Sequence, residues 1–379
     1  MVNYICEICA KEFKQKSSFD SHKKRKTPCK LENTIVESNE SNESNESNES
    51  NESNESSQSQ EKTIRYIDLF SGLGAFHTAF DASPNFKCVL ACDINEGARR
   101  IYEANYGIKP EADIRSLNIL GLPEFDLLCA GFPCQSFSIA GNGLGFQDQE
   151  KGNLFFNILD IIDARKPPMC ILENVKNLET HDDGKTYATI KKALQDRGYQ
   201  VTSKVLNSAY YGSPQTRQRI FIVATLDKSF SIPEPTHKTE IPVNSIIDET
   251  NITAIDLSKY NLKEKTSTKR PFKPHILYDV KSKKTDRGGR QGERVYDTGA
   301  TGITICASSG GPGAKTGLYK VKNIIRRLSV KETLKMFGFP ETYKFPKLSS
   351  EESLFYLGNS IVVNVISAFV PLIELFFRT

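Results

Sequence analysis

Ile64-Arg65-Tyr66-Ile67-Asp68-Leu69-Phe70-Ser71-Gly72-Leu73-Gly74 is a mostly apolar run that ends in a glycine turn. A short apolar run bounded by turn residues reads as a buried strand. A helix pattern follows through Phe80. Residues 87–92 read as a second strand, which ends at Asp93, and residues 95–106 as a helix. Residues 125–130 and 169–173 supply further strands, and residues 220–224 another. Strands that alternate with helices predict an α/β fold, a parallel sheet with helices on both faces. Ligands of such sheets bind at the carboxyl ends of strands. The residues at those ends are therefore the candidates for chemistry.

Outward from this core the texture changes twice. Residues 227–321 are richer in Pro, Lys, Thr and Gly, with short β-like runs, and predict a smaller β-rich domain inserted into the first. Residues 322–379 return to the core, through a helix at 330–337 and an apolar stretch at 361–377. Residues 63–226 and 322–379 thus make one domain. On the amino-terminal side, Ser-Asn-Glu repeats from Ser38 to Glu55. A stretch with no apolar residue has nothing to bury against its ordering entropy, so residues 32–62 read as a disordered acidic tether.

The net charge of +4 averages unlike parts, because the tether is rich in Glu and the remainder is basic. A basic remainder suits a polyanionic partner. The first thirty residues are polar and charged, with no signal peptide or membrane span among them. This predicts an intracellular protein rather than a secreted or membrane one. Cys88, Cys129 and Cys170 lie in apolar runs and read as inert core thiols of a reducing compartment.

Three strand ends carry candidate chemistry. Gly72 and Gly74 let the backbone approach a ligand closely. Asp93, at the next strand end, can hold ribose hydroxyls, and Asp113 can accept from an adenine amino group. In Gly131-Phe132-Pro133-Cys134-Gln135-Ser136, Cys134 follows a strand amid Gly and Pro, so a loop holds it. An accessible thiol of lowered pKa is what nucleophilic catalysis needs. Glu173-Asn174-Val175 places a carboxylate at the neighbouring strand end, and Gln215-Thr216-Arg217-Gln218-Arg219 brings two guanidinium groups to the same edge.

These motifs, with Gly358-Asn359-Ser360-Ile361-Val362, resemble the cytosine-C5 DNA methyltransferase family in their order and spacing, from about Thr63 to the C-terminus. The resemblance implies a Rossmann-like S-adenosylmethionine-dependent sheet and a target recognition domain at 227–321. It implies methyl transfer to carbon 5 of a cytosine flipped out of double-stranded DNA. Cys134 would attack the base, Glu173 would hydrogen-bond it, Arg219 would grip its carbonyl oxygen, and Arg217 would support the site. S-adenosyl-L-methionine would be held by Phe70, Gly72, Gly74, Asp93, Ile94, Asp113, Ile114, Leu154 and Asn359. The stretch 135–151 resembles the mobile loop that closes over DNA. Gln291 and Arg294, with Thr304, Gly310 and Gly311, resemble the reading loops of the bacterial HhaI-type enzymes, and suggest a short GC-rich palindrome such as GCGC and a protein that acts as a monomer.

The head lies outside this pattern. Cys6, Cys9, His22 and Cys29, with Phe13 and Phe19 between, resemble a Cys2His2-type zinc finger whose last His is replaced by Cys. A unit of 31 residues cannot bury a sufficient core, so tetrahedral zinc would hold it together. The run Lys23-Lys24-Arg25-Lys26 adds a basic face. Similar heads occur in proteins of large DNA viruses, which leaves cytoplasm, nucleus or viral factory as the setting. Two rival readings are a tRNA cytosine-C5 methyltransferase and a non-catalytic DNA-binding protein. That tRNA branch usually has Pro where Phe132 stands, and a binding-only relative need not keep Cys134 and Glu173.

Overall fold

The structure, a computed structural model, describes residues 4–5, 12–13, 63–133 and 154–378. The chain divides into two units, Met1–Ser59 and Gln60–Thr379. In the first, the described residues are two short strands, β1 (Tyr4–Ile5) and β2 (Glu12–Phe13), paired antiparallel with Tyr4 opposite Phe13. The tether expected at 32–62 lies outside the described residues.

The second unit is built on a six-stranded sheet of order β4-β3-β5-β6-β8-β7. Here β3 is Ile64–Leu69, β4 Phe86–Cys92, β5 Leu127–Gly131, β6 Met169–Val175, β7 Gln200–Asn207 and β8 Gln218–Thr225. The four strands β4, β3, β5 and β6 run parallel, but β8 is antiparallel to both β6 and β7. The sheet is therefore mixed where alternation alone predicted it parallel. The reason is the link from β7 to β8, a single 3-10 turn (Ser208–Tyr211) and six further residues. A parallel return needs a crossover of about a dozen residues or more.

Both faces of the sheet are covered, which is why its strands read as continuous apolar runs. On one face Tyr66, Cys129, Ile171 and Val223 pack against α1 (Ala75–Phe80) and the C-terminal helices α5 (Val330–Phe337), α6 (Ser350–Asn359), α7 (Val363–Ser367) and α8 (Val370–Arg378). On the other, Ile67, Leu69, Leu128, Leu172 and Ile222 pack against α3 (Leu154–Arg165) and α4 (Lys185–Gln195). Helix α2 (Glu96–Tyr106) follows β4, capped by the Asn95 side chain on Ala98 N–H. Helix α5 has the limits the sequence predicts, because Ser329 and Glu332 form a capping box and Gly338 ends it at φ 79°. The apolar stretch at 361–377 instead divides into α7 and α8, with Pro371 in the first turn of α8, where proline is tolerated.

A second sheet of five strands has the order β13-β12-β11-β10-β9. Its strands are β9 (Tyr260–Glu264), β10 (Ile276–Ser282), β11 (Arg294–Asp297), β12 (Leu318–Val321) and β13 (Ile324–Arg326). It has its own small core of Val280, Val295 and Leu318. No single described helix is long and apolar enough to cross a membrane.

Candidate active site

The parallel strands β3, β4, β5 and β6 all end at one edge. Beyond β3 the chain turns sharply, with Phe70 at φ 56°, Gly72 at 52° and Gly74 at 73°. Gly74 has a second reason to be glycine: an added Cβ would lie 2.5 Å from the Tyr106 ring. The turn is fastened to the next strand end, since Gly72 N–H donates to Asp93 Oδ2 at 2.8 Å and Asn95 N–H donates to Asp93 Oδ1 at 2.8 Å. Burial pushes the Asp93 carboxyl up, and those two bonds pull it back.

Two adjoining cavities lie along this edge. One, of about 160 Å³, is lined by Gly72, Asp93, Asn95, Phe355, Tyr356 and Asn359. The other, of about 50 Å³, is lined by Asp68, Phe70, Gly131, Glu173, Asn359 and Ile361. Gly72 and Asn359 line both. Ser71 also lines the smaller one, and its Oγ and Asp68 Oδ2 are buried with no hydrogen-bond partner among the described residues. Unpaired buried polar atoms are rare in native proteins. Facing a cavity, they fit a polar ligand that completes them. Ile94 is 67% exposed beside Asp93, an apolar side chain free to cover a planar ring.

The remaining cofactor candidates stand differently. Ile114 is a core residue and Leu154 packs against the same core. Asp113 caps the 3-10 turn Ile114–Ser116 and pairs with Arg115 at 2.6 Å, which holds its carboxyl below the usual range.

The acid–base pair is at the next strand end. Glu173 is buried, and Arg219 Nε reaches its Oε1 at 3.0 Å. Burial pushes the Glu173 carboxyl up, and Arg219 and Arg217 only partly oppose it. Arg217 itself ties three segments together, donating to Ile305 O at 2.8 Å and to Gly358 O at 3.0 Å. Burial lowers its pKa to about 9, which leaves it charged at neutral pH. Gly358 is required because a Cβ there would meet Ala307 N at 2.2 Å. Gly131 pairs with Glu173 across β5 and β6, and Asn174 Nδ2 donates to Phe132 O at 2.8 Å. The chain leading to Cys134 is thus fixed beside Glu173. Cys134 and the loop 135–151 lie outside the described residues.

Around the second sheet, Gln291 Nε2 donates to Thr304 O at 2.7 Å, Thr304 Oγ1 donates to Thr216 O, and Arg294 Nε lies 3.4 Å from Asp279. Gly311 sits at φ 87° and its Cβ would meet Gly292 O at 2.8 Å, while a Cβ on Gly292 would meet Gly310 O. These glycines serve close packing of 292 on 310–311. Cys6, Cys9, His22 and Cys29 lie outside the described residues, and among the described ones no three His, Cys, Asp or Glu converge as metal ligands. Sequence reasoning missed Asp68, Asn95, Phe355 and Tyr356 as cavity residues. Asp68 was hidden within an apolar strand, and Phe355 and Tyr356 gave only the weak signal of two aromatics just before Gly358.

The comparisons with known proteins agree with this geometry. Residues 64–373 match the family model described as C-5 cytosine-specific DNA methylase. The chain is 36% identical over 307 residues to the type II methyltransferase M.HhaI of Haemophilus parahaemolyticus, covering 80% of this chain and 92% of that one. It is 38% identical over 318 residues to the type II methyltransferase M.HaeII of Haemophilus aegyptius, covering 81% and 92%. Among solved structures, the S. pombe Dnmt2 methyltransferase superposes with a TM-score of 0.62 at 21% identity, over 83% of this chain and all of that one, a likeness of fold. On the family model and these identities, the chain belongs to the C-5 cytosine-specific DNA methylase family.

Proposed function

We propose that this protein methylates carbon 5 of cytosine in double-stranded DNA, with Cys134 as nucleophile and S-adenosylmethionine as methyl donor. The observation that carries the reading is the pairing of buried Glu173 with half-buried Arg219, 3.0 Å apart, at the strand end beside the cavity and against the backbone that leads to Cys134. Carbon 5 of cytosine is a poor nucleophile, so the ring must first be activated. The Cys134 thiolate adds to carbon 6, and the electron pair moves toward ring nitrogen 3 and the carbonyl oxygen. Glu173, whose carboxyl burial pushes up, passes a proton to nitrogen 3, and Arg219 neutralises charge at the oxygen. Carbon 5 takes a methyl group and then gives up its proton to solvent water, nitrogen 3 returns its proton to Glu173, and the thiolate leaves as the ring double bond reforms. Arg217 acts by positioning, since it fixes the 305 and 358 segments around the site.

Gly72, Gly74 and Asp93 would hold the ribose end of S-adenosylmethionine, Ile94 would cover its adenine, and Phe70 and Asn359 would line its path. Bound there, this cofactor supplies an electrophilic methyl group. The target carbon is inaccessible in a duplex, so the base flips out at a cost of a few kcal/mol. Residues 227–321 serve as target recognition domain. Gln291, Arg294 and Thr304 would exchange their internal partners for DNA at a short GC-rich site.

The test is plasmid methylation by the purified protein, mapped by bisulfite sequencing, beside Cys134→Ser. Methylated cytosines in one short motif, absent with the variant, support the reaction and the nucleophile. Methyl transfer to tRNA and to no DNA overturns the DNA substrate.

A further inference from the structure

From Lys259 to Arg290 the chain carries eleven Lys and Arg against three Asp and Glu, while the whole chain is only +4. Strand register gathers part of this charge. In β9 and β10, Lys263 lies opposite Asp279 and Asn261 opposite Lys281, and in β10 and β11 Asp279 lies opposite Arg294. Side chains alternate across a sheet. Val280 and Val295 therefore form the small core, while Lys263, Lys281 and Arg294 share the other face around Asp279. Asp279 already serves two cations, Lys265 at 3.0 Å and Arg294 at 3.4 Å. Asp286 lies 3.8 Å from Lys281. Lys263 and Lys283 have no ion-pair partner among the described residues, and the Lys283 N–H bonds to Lys259 O, which extends the row.

Like charges crowded on a face repel, and this cost is relieved by a polyanion. Lys is a compact point charge well suited to phosphate contacts. Length argues the same way. The seven residues of β10, at about 3.4 Å each, extend roughly 24 Å, the rise of about seven base pairs. That exceeds a four-base-pair site, and the patch continues directly into Gln291.

We propose that this face of the β9–β10 hairpin is a sequence-independent phosphate-binding surface that grips duplex DNA beside the methylated site. The inference rests on the DNA reading above and extends its footprint. It is tested by fluorescence anisotropy with the full chain, on duplexes of about 12 and about 30 base pairs that share one fixed GC-rich central sequence, from about 50 to 200 mM salt. The variant is Lys263→Gln with Lys281→Gln and Lys283→Gln, and the control carries Arg at the same three positions.

The wild type binds the longer duplex about tenfold or more tightly. On that duplex the Gln variant loses about 2.7 from the slope of log affinity against log salt, about 0.9 for each phosphate contact. The Arg control keeps the slope. Equal slopes for wild type and Gln variant, or no gain with duplex length in the wild type, overturn the proposal. A larger loss on duplex RNA than on DNA of equal length also overturns it, in favour of an RNA-binding face. Failure to methylate any DNA overturns the reading of function instead, and the slope comparison is independent of it.

Discussion

Glu173 stands where burial and two guanidinium groups pull in opposite directions, and burial is the larger effect. Its carboxyl holds a proton to higher pH than an ordinary glutamate of about 4.3, which suits a group that must donate to a ring nitrogen. kcat/KM should accordingly fall as pH rises through the folded Glu173 value, because the deprotonated form cannot donate. Glu173→Gln keeps size and burial but cannot exchange a proton, and kcat should drop about 10²-fold or more; a drop under about threefold would contradict the assigned role. Asp68 gives a test by stability. Its carboxyl is fully buried and raised well above its ordinary range, first by burial and then by Asp93. A raised folded pKa means the unfolded state releases the proton first, so stability is lost as pH climbs from about 4 toward the folded value. Asp68→Asn should therefore melt higher than wild type at pH 8, with the gap closing toward pH 4. A constant gap across that range would show that Asp68 does not change protonation on unfolding.

At the scale of elements, a buried ion pair links the second sheet to helix α5. Arg326 at the end of β13 and Glu332 in the first turn of α5 are each 1% exposed and 2.6 Å apart. Glu332 also accepts from the backbone N–H groups of Ser329 and Asp248. Burial raises its carboxyl, but Arg326 and those two bonds outweigh it and hold it below the usual range. Removal of one partner strands a buried charge, so Arg326→Met should cost about 3–5 kcal/mol. Urea unfolding would show this as a lower midpoint at unchanged slope, and a cost below about 1 kcal/mol would mean that water reaches Glu332. This pair was not legible in the sequence, because the two residues lie on different elements of unlike pattern. Helix α5 was legible to the residue from its own capping box and C-terminal glycine. The antiparallel β8 was not: residues 220–224 read as a strand, but its direction depends on how short the link from β7 is.

For the whole molecule, legibility follows the same division between local and assembled information. Strand ends, glycine turns and the order of motifs are local, so the sheet edge and Glu173, Arg219, Asp93 and Gly72 could be placed from sequence. Residues that meet only in three dimensions, such as Arg217 with Ile305 and Gly358 or Tyr356 with Asn95, could not. The chain divides at Gln60, and the family match starts at residue 64, so the head lies outside the matched region. Both sheets, both cavities and the Glu173–Arg219 pair lie within Gln60–Thr379. A chain that begins at Gln60 should therefore keep the core intact, with a melting temperature within about 2 °C of the full chain's and kcat within about twofold at saturating DNA. The head carries Lys23, Lys24, Arg25 and Lys26, so any loss should fall on affinity, as a higher KM for DNA with a shallower salt dependence. Calorimetry and steady-state methyl transfer on the two chains measure these quantities side by side. A fall in kcat beyond tenfold with unchanged KM would place the head in the chemical step, and the unit from Gln60 onward would then not be the complete catalyst.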